Sequence, residues 1–286
     1  MLDQAQRLRQ MASVGGKDNI SSPKIITVTS GKGGVGKSNF VVNLALTLQK
    51  SGKKVLIFDA DMGMGNDDVL LGFIPKYNVF DIIFHDKNIE DVIVTGPYGV
   101  KLLPGGSGIT RLNEITNIQR NAFLKKMSNI QGLDYIIMDT GAGVNRSVLG
   151  FIACCDELIL IITPEPTSIM DAYSLLKAVV HFNIKSKSKV VINRTLDRKE
   201  GEVTFNKFRS AVKTFLKIDV EYIGNISEDR KLIEAVRSQK PFVVSSPNCE
   251  AAQDILKIAE KLALIKKENT GSSVQSLFKK IFNIFS

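Results

Sequence analysis

Gly31-Lys32-Gly33-Gly34-Val35-Gly36-Lys37-Ser38 decides how this chain folds. The octapeptide satisfies GxxxxGK followed by Ser or Thr. The apolar run Ile25 to Thr29 precedes it and the helical pattern Ser38 to Lys50 follows, the strand–loop–helix setting in which that motif has a mechanism. Its glycines let the backbone curl round an anion, so that N–H groups and the positive end of the next helix cradle phosphates. Lys37 is expected to reach the β- and γ-phosphates, and the Ser38 hydroxyl to ligate Mg2+.

Outward from this loop, short Val/Ile/Leu runs alternate with longer helical patterns. The strand candidates are Ile25 to Thr29, Val55 to Phe58, Val100 to Leu103, Tyr135 to Met138, Leu158 to Ile162, Val190 to Ile192 and Tyr222 to Ile226. The helical ones are Ser38 to Lys50, Glu114 to Ile130, Ser168 to Phe182, Phe205 to Leu216 and Glu250 to Leu264. Strands apolar on both faces imply a mostly parallel sheet with helices on both sides; with the phosphate loop after the first strand, the expected fold is a three-layer α/β P-loop NTPase. The expected organisation is an N-terminal peptide and linker over 1–22, the α/β domain over 23–265, a linker over 266–273 and a terminal helix over 274–286.

With 286 residues, 44% of them apolar and 23% charged, the chain can bury one sizeable core. A net charge of +9 favours anionic partners without choosing among nucleotide, nucleic acid and acidic membrane. Cys154, Cys155 and Cys249 form neither a CxxC pair nor an even framework, which points to a reducing, cytoplasmic compartment without structural disulfides. The polar opening from Met1 to Gln10 predicts no secretory signal. No apolar run approaches the ~18 residues of a membrane span, so any membrane contact is expected to be peripheral. His85 and His181 are isolated and read as surface or packing residues, and Cys154-Cys155 as buried packing at the end of an apolar helix.

Three further segments belong with the loop. Phe58-Asp59-Ala60-Asp61 puts carboxylates at the C-terminal end of the second strand, where open α/β sheets bind ligands. Ile136-Ile137-Met138-Asp139-Thr140-Gly141 ends a strand in an acid and a glycine. Asp139 is expected to hold Mg2+ through water, and Gly141 to leave room for a switch II backbone that senses the γ-phosphate. Val191-Ile192-Asn193-Arg194 ends a later strand with an amide that can donate and accept.

The additional lysine, Lys32, gives the loop a KGGxGK form that resembles the deviant Walker A group of MinD, ParA and related partition ATPases. The resemblance covers about residues 24–264 and implies an ATPase that binds ATP and Mg2+ and dimerises with ATP, Lys32 touching phosphates across the dimer. It further implies that Asp61 positions the attacking water, that Asp59 lies near the Mg2+ shell and that Asn193 reads adenine. The nucleotide-binding candidates are then Gly31 to Lys37, Ser38, Asn39, Asn193 and Arg194; the metal candidates are Ser38, Asp59 and Asp139; and Lys32, Lys37 and Asp61 carry catalysis.

Both termini narrow the resemblance. Asp3-Gln4-Ala5-Gln6-Arg7-Leu8-Arg9 matches a DQAxxLR peptide and, with Ser38-Asn39 in place of Thr-Thr, is similar to the FlhG-type regulators of flagellar number and placement, also called YlxH or FleN. This implies that Asp3, Gln4, Ala5, Leu8 and Arg9 engage an FlhF-like, signal-recognition-type GTPase and stimulate it, with flagellar assembly components as further partners. At the other end Val274, Leu277, Phe278, Ile281, Phe282 and Phe285 recur at three- and four-residue spacing opposite Lys279 and Lys280. Leu277, Phe278, Ile281, Phe282 and Phe285 are expected to insert into an anionic membrane surface on the cytoplasmic side in the ATP state, as in MinD.

The competing readings are a ParA-like DNA partition ATPase and a MinD-like regulator of the division site. The first draws on the stretch Lys185 to Lys217, which has ten basic and three acidic residues. An iron–sulfur carrier of the same superfamily would need clustered cysteines, a pattern that Cys154, Cys155 and Cys249 do not supply.

Overall fold

The computed structural model describes residues 22–61, 65–106, 114–264 and 273–285. The peptide with Asp3, Gln4, Ala5, Leu8 and Arg9 lies outside them, as does nearly all of the linker expected before the terminal helix.

Among the described residues, eight strands form one sheet, in the order β3-β4-β2-β5-β1-β6-β7-β8. They are β1 (Lys24–Ser30), β2 (Val55–Ala60), β3 (Val94–Thr95), β4 (Lys101–Leu103), β5 (Tyr135–Ala142), β6 (Glu157–Ile162), β7 (Lys187–Thr195) and β8 (Asp219–Ser227). All neighbours pair in parallel except β3 with β4. The central strands are buried along almost their whole length, as strands covered on both faces must be. β1 sits between β5 and β6, and the strands that follow it in sequence lie on one side first and then on the other. That reversal opens a crevice beyond the carboxyl ends, directly over the glycine loop.

Alternate side chains of each strand feed two separate cores. Ile136 and Met138 join one cluster, while Tyr135 and Ile137 join the other. The second cluster is covered by α1 (Lys37–Lys50), α2 (Asp67–Leu71), α9 (Arg230–Arg237), α10 (Phe242–Ser245) and α11 (Glu250–Leu264). Covering the first are α3 (Val79–Phe84), α4 (Ile89–Val92), α5 (Asn117–Met127), α6 (Arg146–Cys154), α7 (Pro166–His181), α8 (Arg198–Leu216) and α12 (Val274–Phe285).

Several boundaries move for identifiable reasons. The helix expected from Phe205 starts at Arg198, because Asp197 accepts from Glu200 N at 2.7 Å and Glu200 accepts from Leu196 N at 2.7 Å. The one expected from Glu114 starts at Asn117, after a reciprocal cap between Thr116 and Gln119. Strand β3 and helices α2 to α4 are too short to show a period in sequence.

The largest difference concerns α12. The stripe expected to face lipid, with Leu277 0%, Phe278 4%, Ile281 4%, Phe282 2% and Phe285 8% exposed, is turned into the molecule's own core. Phe278 lies 5.2 Å from Phe58 and 5.0 Å from Phe123 between ring centroids, Phe282 lies 5.4 Å from Phe123, and Phe285 lies 5.5 Å from Phe151. Apolar burial is not directional, so an amphipathic stripe with no lipid beside it closes on the nearest apolar surface, here that of α5 and α6. Gly150 of α6 makes room: a Cβ there would come within 2.7 Å of Phe285 Cζ and 2.9 Å of Ile284 Cγ2. Arg146 Nη2 donates to the Ile284 carbonyl at 2.9 Å, and Arg120 to Asn283.

Candidate nucleotide site

The glycine loop leaves β1 and delivers Lys37 as the first residue of α1. Gly34 and Gly36 have φ of 76° and 94°, and Gly36 is the left-handed residue from which the helix starts. At Gly31 the limit is space, since a Cβ would meet the backbone of Asp171 at 2.1 Å. The loop is clamped from the end of β7: Asn193 Nδ2 donates to the Val35 carbonyl at 2.7 Å, and Arg194 Nη2 to that of Gly34 at 2.8 Å. Asn193, expected to read a base, is buried and uses its amide nitrogen to hold the loop. Arg194 adopts φ 59° to make its contact.

The acids gather at the carboxyl ends of β2 and β5. The register puts Asp59 beside Asp139 across the two strands. Asp139 is buried, and the charge of Lys37 and the Ser38 hydroxyl both favour its ionised form. Burial outweighs both and pushes its carboxyl up to about 6. Asp59 is pushed up to about 7, by burial first and then by Asp139, although its Oδ1 accepts from Asp61 N at 3.1 Å. Glycines enclose it: a Cβ on Gly65 would stand 2.1 Å from Asp59 Oδ2, and one on Gly105 1.8 Å from the Asp59 carbonyl. Gly141 faces Asp61, with a built Cβ 3.5 Å from Oδ1, which keeps this part of switch II close to the candidate water-positioning acid.

Lys32 does not lie over the loop's hollow. Its Nζ is 2.9 Å from Glu165 Oε2 and 3.2 Å from Thr167 Oγ1, at the start of α7, and the pair holds the Glu165 carboxyl below its usual range. Sequence reasoning missed Glu165, although Thr163-Pro164-Glu165-Pro166 directly after β6 marks it as a loop acid at the ligand-binding edge. It also missed Asp67 at the start of α2, which is completely buried with neither oxygen hydrogen-bonded to a described residue. Burial, then Asp139 and Asp59, hold that carboxyl well above the usual range.

These residues fit a magnesium nucleotide. Lys37 and the Ser38 hydroxyl both act on Asp139, Asp139 Oδ1 is buried without a hydrogen-bond partner among the described residues, and a Cβ at Gly31 or Gly36 would collide with neighbouring groups. Elsewhere the sequence expectations resolve simply. His85 pairs with Asp81, His181 packs on Phe182, and Cys154 is a buried thiol pushed up to about 12 by desolvation. Three of the ten basic residues of the 185–217 stretch pair with acids: Lys189 with Glu157 and Glu221, Arg198 with Glu202 and Arg209 with Asp219.

A parallel sheet with the glycine loop at its switch point, a second lysine in that loop and acids at the ends of β2 and β5 defines a P-loop ATPase of the deviant Walker A type. The sequence model of a family described as an AAA domain matches residues 23–192. Antiactivator FleN of Pseudomonas aeruginosa is 35% identical over 84% of this chain and 86% of its own length. Flagellum site-determining protein YlxH of Helicobacter pylori is 33% identical over 98% of each. Among solved structures, septum site-determining protein MinD of Pyrococcus horikoshii, complexed with Mg-ADP, superposes with TM-score 0.66 at 26% identity, over 86% of this chain and 99% of that one. The chain belongs to the MinD/ParA-type ATPases, within the group of FleN and YlxH.

Proposed function

We propose that this chain is an ATP-driven, dimerising switch that sets flagellar number or placement, stimulates an FlhF-like GTPase through its N-terminal peptide and binds anionic membrane through α12. The similarity to FleN and YlxH, the latter over 98% of both chains, carries the reading. Slow turnover suits such a switch, because P-loop hydrolysis without an added stimulating group is slow.

The chain's own groups divide the work. Backbone N–H groups of Gly33 to Lys37 and the start of α1 hold phosphates, and Lys37 neutralises them. Ser38, Asp139 and Asp59 would hold Mg2+, which when bound offsets phosphate charge and the crowding of acids. Asp61 orients water. Lys32 leaves Glu165 and crosses to the second copy's nucleotide.

Membrane binding then requires α12 to leave its groove, since its apolar face cannot serve the core and a lipid surface at once. Asp139 and Gly141 lie on β5, which leads directly into α6, the helix against which α12 packs. Dimerisation also pairs two such helices, and avidity raises apparent affinity by about 10²–10⁴.

The deciding experiment is GTP hydrolysis by a purified FlhF-like GTPase with the whole chain, with its 1–22 peptide and with a chain lacking Asp3 to Arg9. Stimulation by the first two and not the third is expected. No stimulation by any of them would remove the flagellar GTPase from the reading and leave the ATPase assignment standing.

A further inference from the structure

Asp67 occupies a place that is unfavourable for a carboxylate. It is 0% exposed, and neither Oδ1 nor Oδ2 takes a hydrogen bond from a donor among the described residues. The charges that act on it most are those of Asp139, Asp59 and Asp68. A buried acid surrounded by acids costs stability unless a cation offsets them. Asp139 supplies an independent sign of the same need, because its own Oδ1 is buried without a hydrogen-bond partner among the described residues.

We propose that Asp67 is a further carboxylate of this chain's divalent-cation site, acting beside Asp139 on the water shell of the ion. Among the described residues, no three His, Cys, Asp or Glu side chains, Asp67, Asp59 and Asp139 included, come together as a group that could hold a metal ion by themselves. That is consistent with an ion such as Mg2+, which takes one or two carboxylates, keeps several waters and completes its shell with phosphate oxygens. An acid next to a ligand acts on those waters and on the ligand's orientation. The proposal rests on the magnesium–nucleotide reading above and adds a residue to it.

The test compares wild type with Asp67→Asn, which keeps the side chain's size and removes its charge, and with Asp67→Leu, which fills the site with an apolar group. Mn2+ is titrated into each protein saturated with ADP, and free ion is counted by electron paramagnetic resonance. ADP affinity in EDTA and the metal-free melting temperature are measured alongside. Both variants are expected to bind Mn2+ about tenfold more weakly, with ADP affinity in EDTA unchanged and a metal-free melting temperature equal to or above wild type. Wild-type Mn2+ affinity in the variants, above all with a lowered metal-free melting temperature, would make Asp67 a structural residue and overturn the proposal. Wild-type protein that binds neither ADP nor Mn2+ would overturn the nucleotide reading, and this proposal with it.

Discussion

Lys32 Nζ lies 2.9 Å from Glu165 Oε2, so the lysine that distinguishes this P-loop is engaged within its own chain. Both side chains are substantially exposed, at 41% and 54%, so the contact can exchange readily for a phosphate. Glu165→Gln should therefore shift the ATP-dependent monomer–dimer equilibrium toward dimer by about two- to fivefold, the scale of an exposed ion pair. Lys32→Ala should abolish the dimer. Sedimentation in a non-hydrolysable ATP analogue checks both, and a weaker dimer in Glu165→Gln would show that Glu165 serves the dimer directly.

Asp61→Ala should lower ATP turnover by at least about a hundredfold, the smaller end of what a positioned acid–base group contributes. ATP binding should survive and the dimer should persist. Single-turnover hydrolysis with sizing of the product state separates the two effects; unchanged turnover would move the water-positioning role to another residue.

The seat of α12 on Gly150 separates docking from lipid binding. Gly150→Val should push Phe285 and Ile284 outward while leaving the apolar stripe intact, and so increase co-sedimentation with anionic liposomes in the absence of ATP. Phe282→Glu should also undock the helix, because it buries a charge beside Phe123, yet it should lose liposome binding in ATP. If Gly150→Val and Phe282→Glu behave alike with liposomes, α12 is a core helix only.

The acid cluster predicts an inverted pH response in the metal-free protein. Asp59 and Asp139 are held at about 7 and about 6, above the roughly 4 of an unfolded carboxyl. Between those values the folded state binds more protons than the unfolded one, so stability is full below about pH 4 on this account and is lost as pH rises through 6 to 7. In EDTA, urea midpoints should fall from pH 5 to 8, with a limiting slope on the order of 1 kcal/mol per pH unit per group. Asp59→Asn should flatten the curve, and Mg2+ with nucleotide should reverse the trend by favouring the ionised acids. A profile unaltered by Asp59→Asn would place the proton uptake elsewhere.

Local rules made the frame legible. A glycine loop between a β-rich run and a helix has one known use, and strands such as Val55–Ala60 and Tyr135–Ala142 are apolar enough to read without a partner. The same rules exposed Asp139 and the pair Asp59 and Asp61, because acids ending an apolar strand are conspicuous. They said less about Asp59, whose enclosure comes from Gly65 and from Gly105, which arrives from the end of β4. They were silent on Asp67, which reads as one of two acids opening a short helix until the fold closes around it.

The sequence by itself determined the parallel α/β architecture, the phosphate loop, the apolar stripe of α12 and the kinship with MinD/ParA-type ATPases, since each is written in periodicity or in contiguous residues. Only the tertiary structure decided the contacts between distant segments. Asn193 holds the loop, Lys32 rests on Glu165, and α12 lies on α6 beside Gly150. An amphipathic stripe records that a face must be buried and leaves open against what, because hydrophobic burial has no direction. A side chain's partner more than a hundred residues away is fixed by the close packing of the whole molecule, which no local pattern carries.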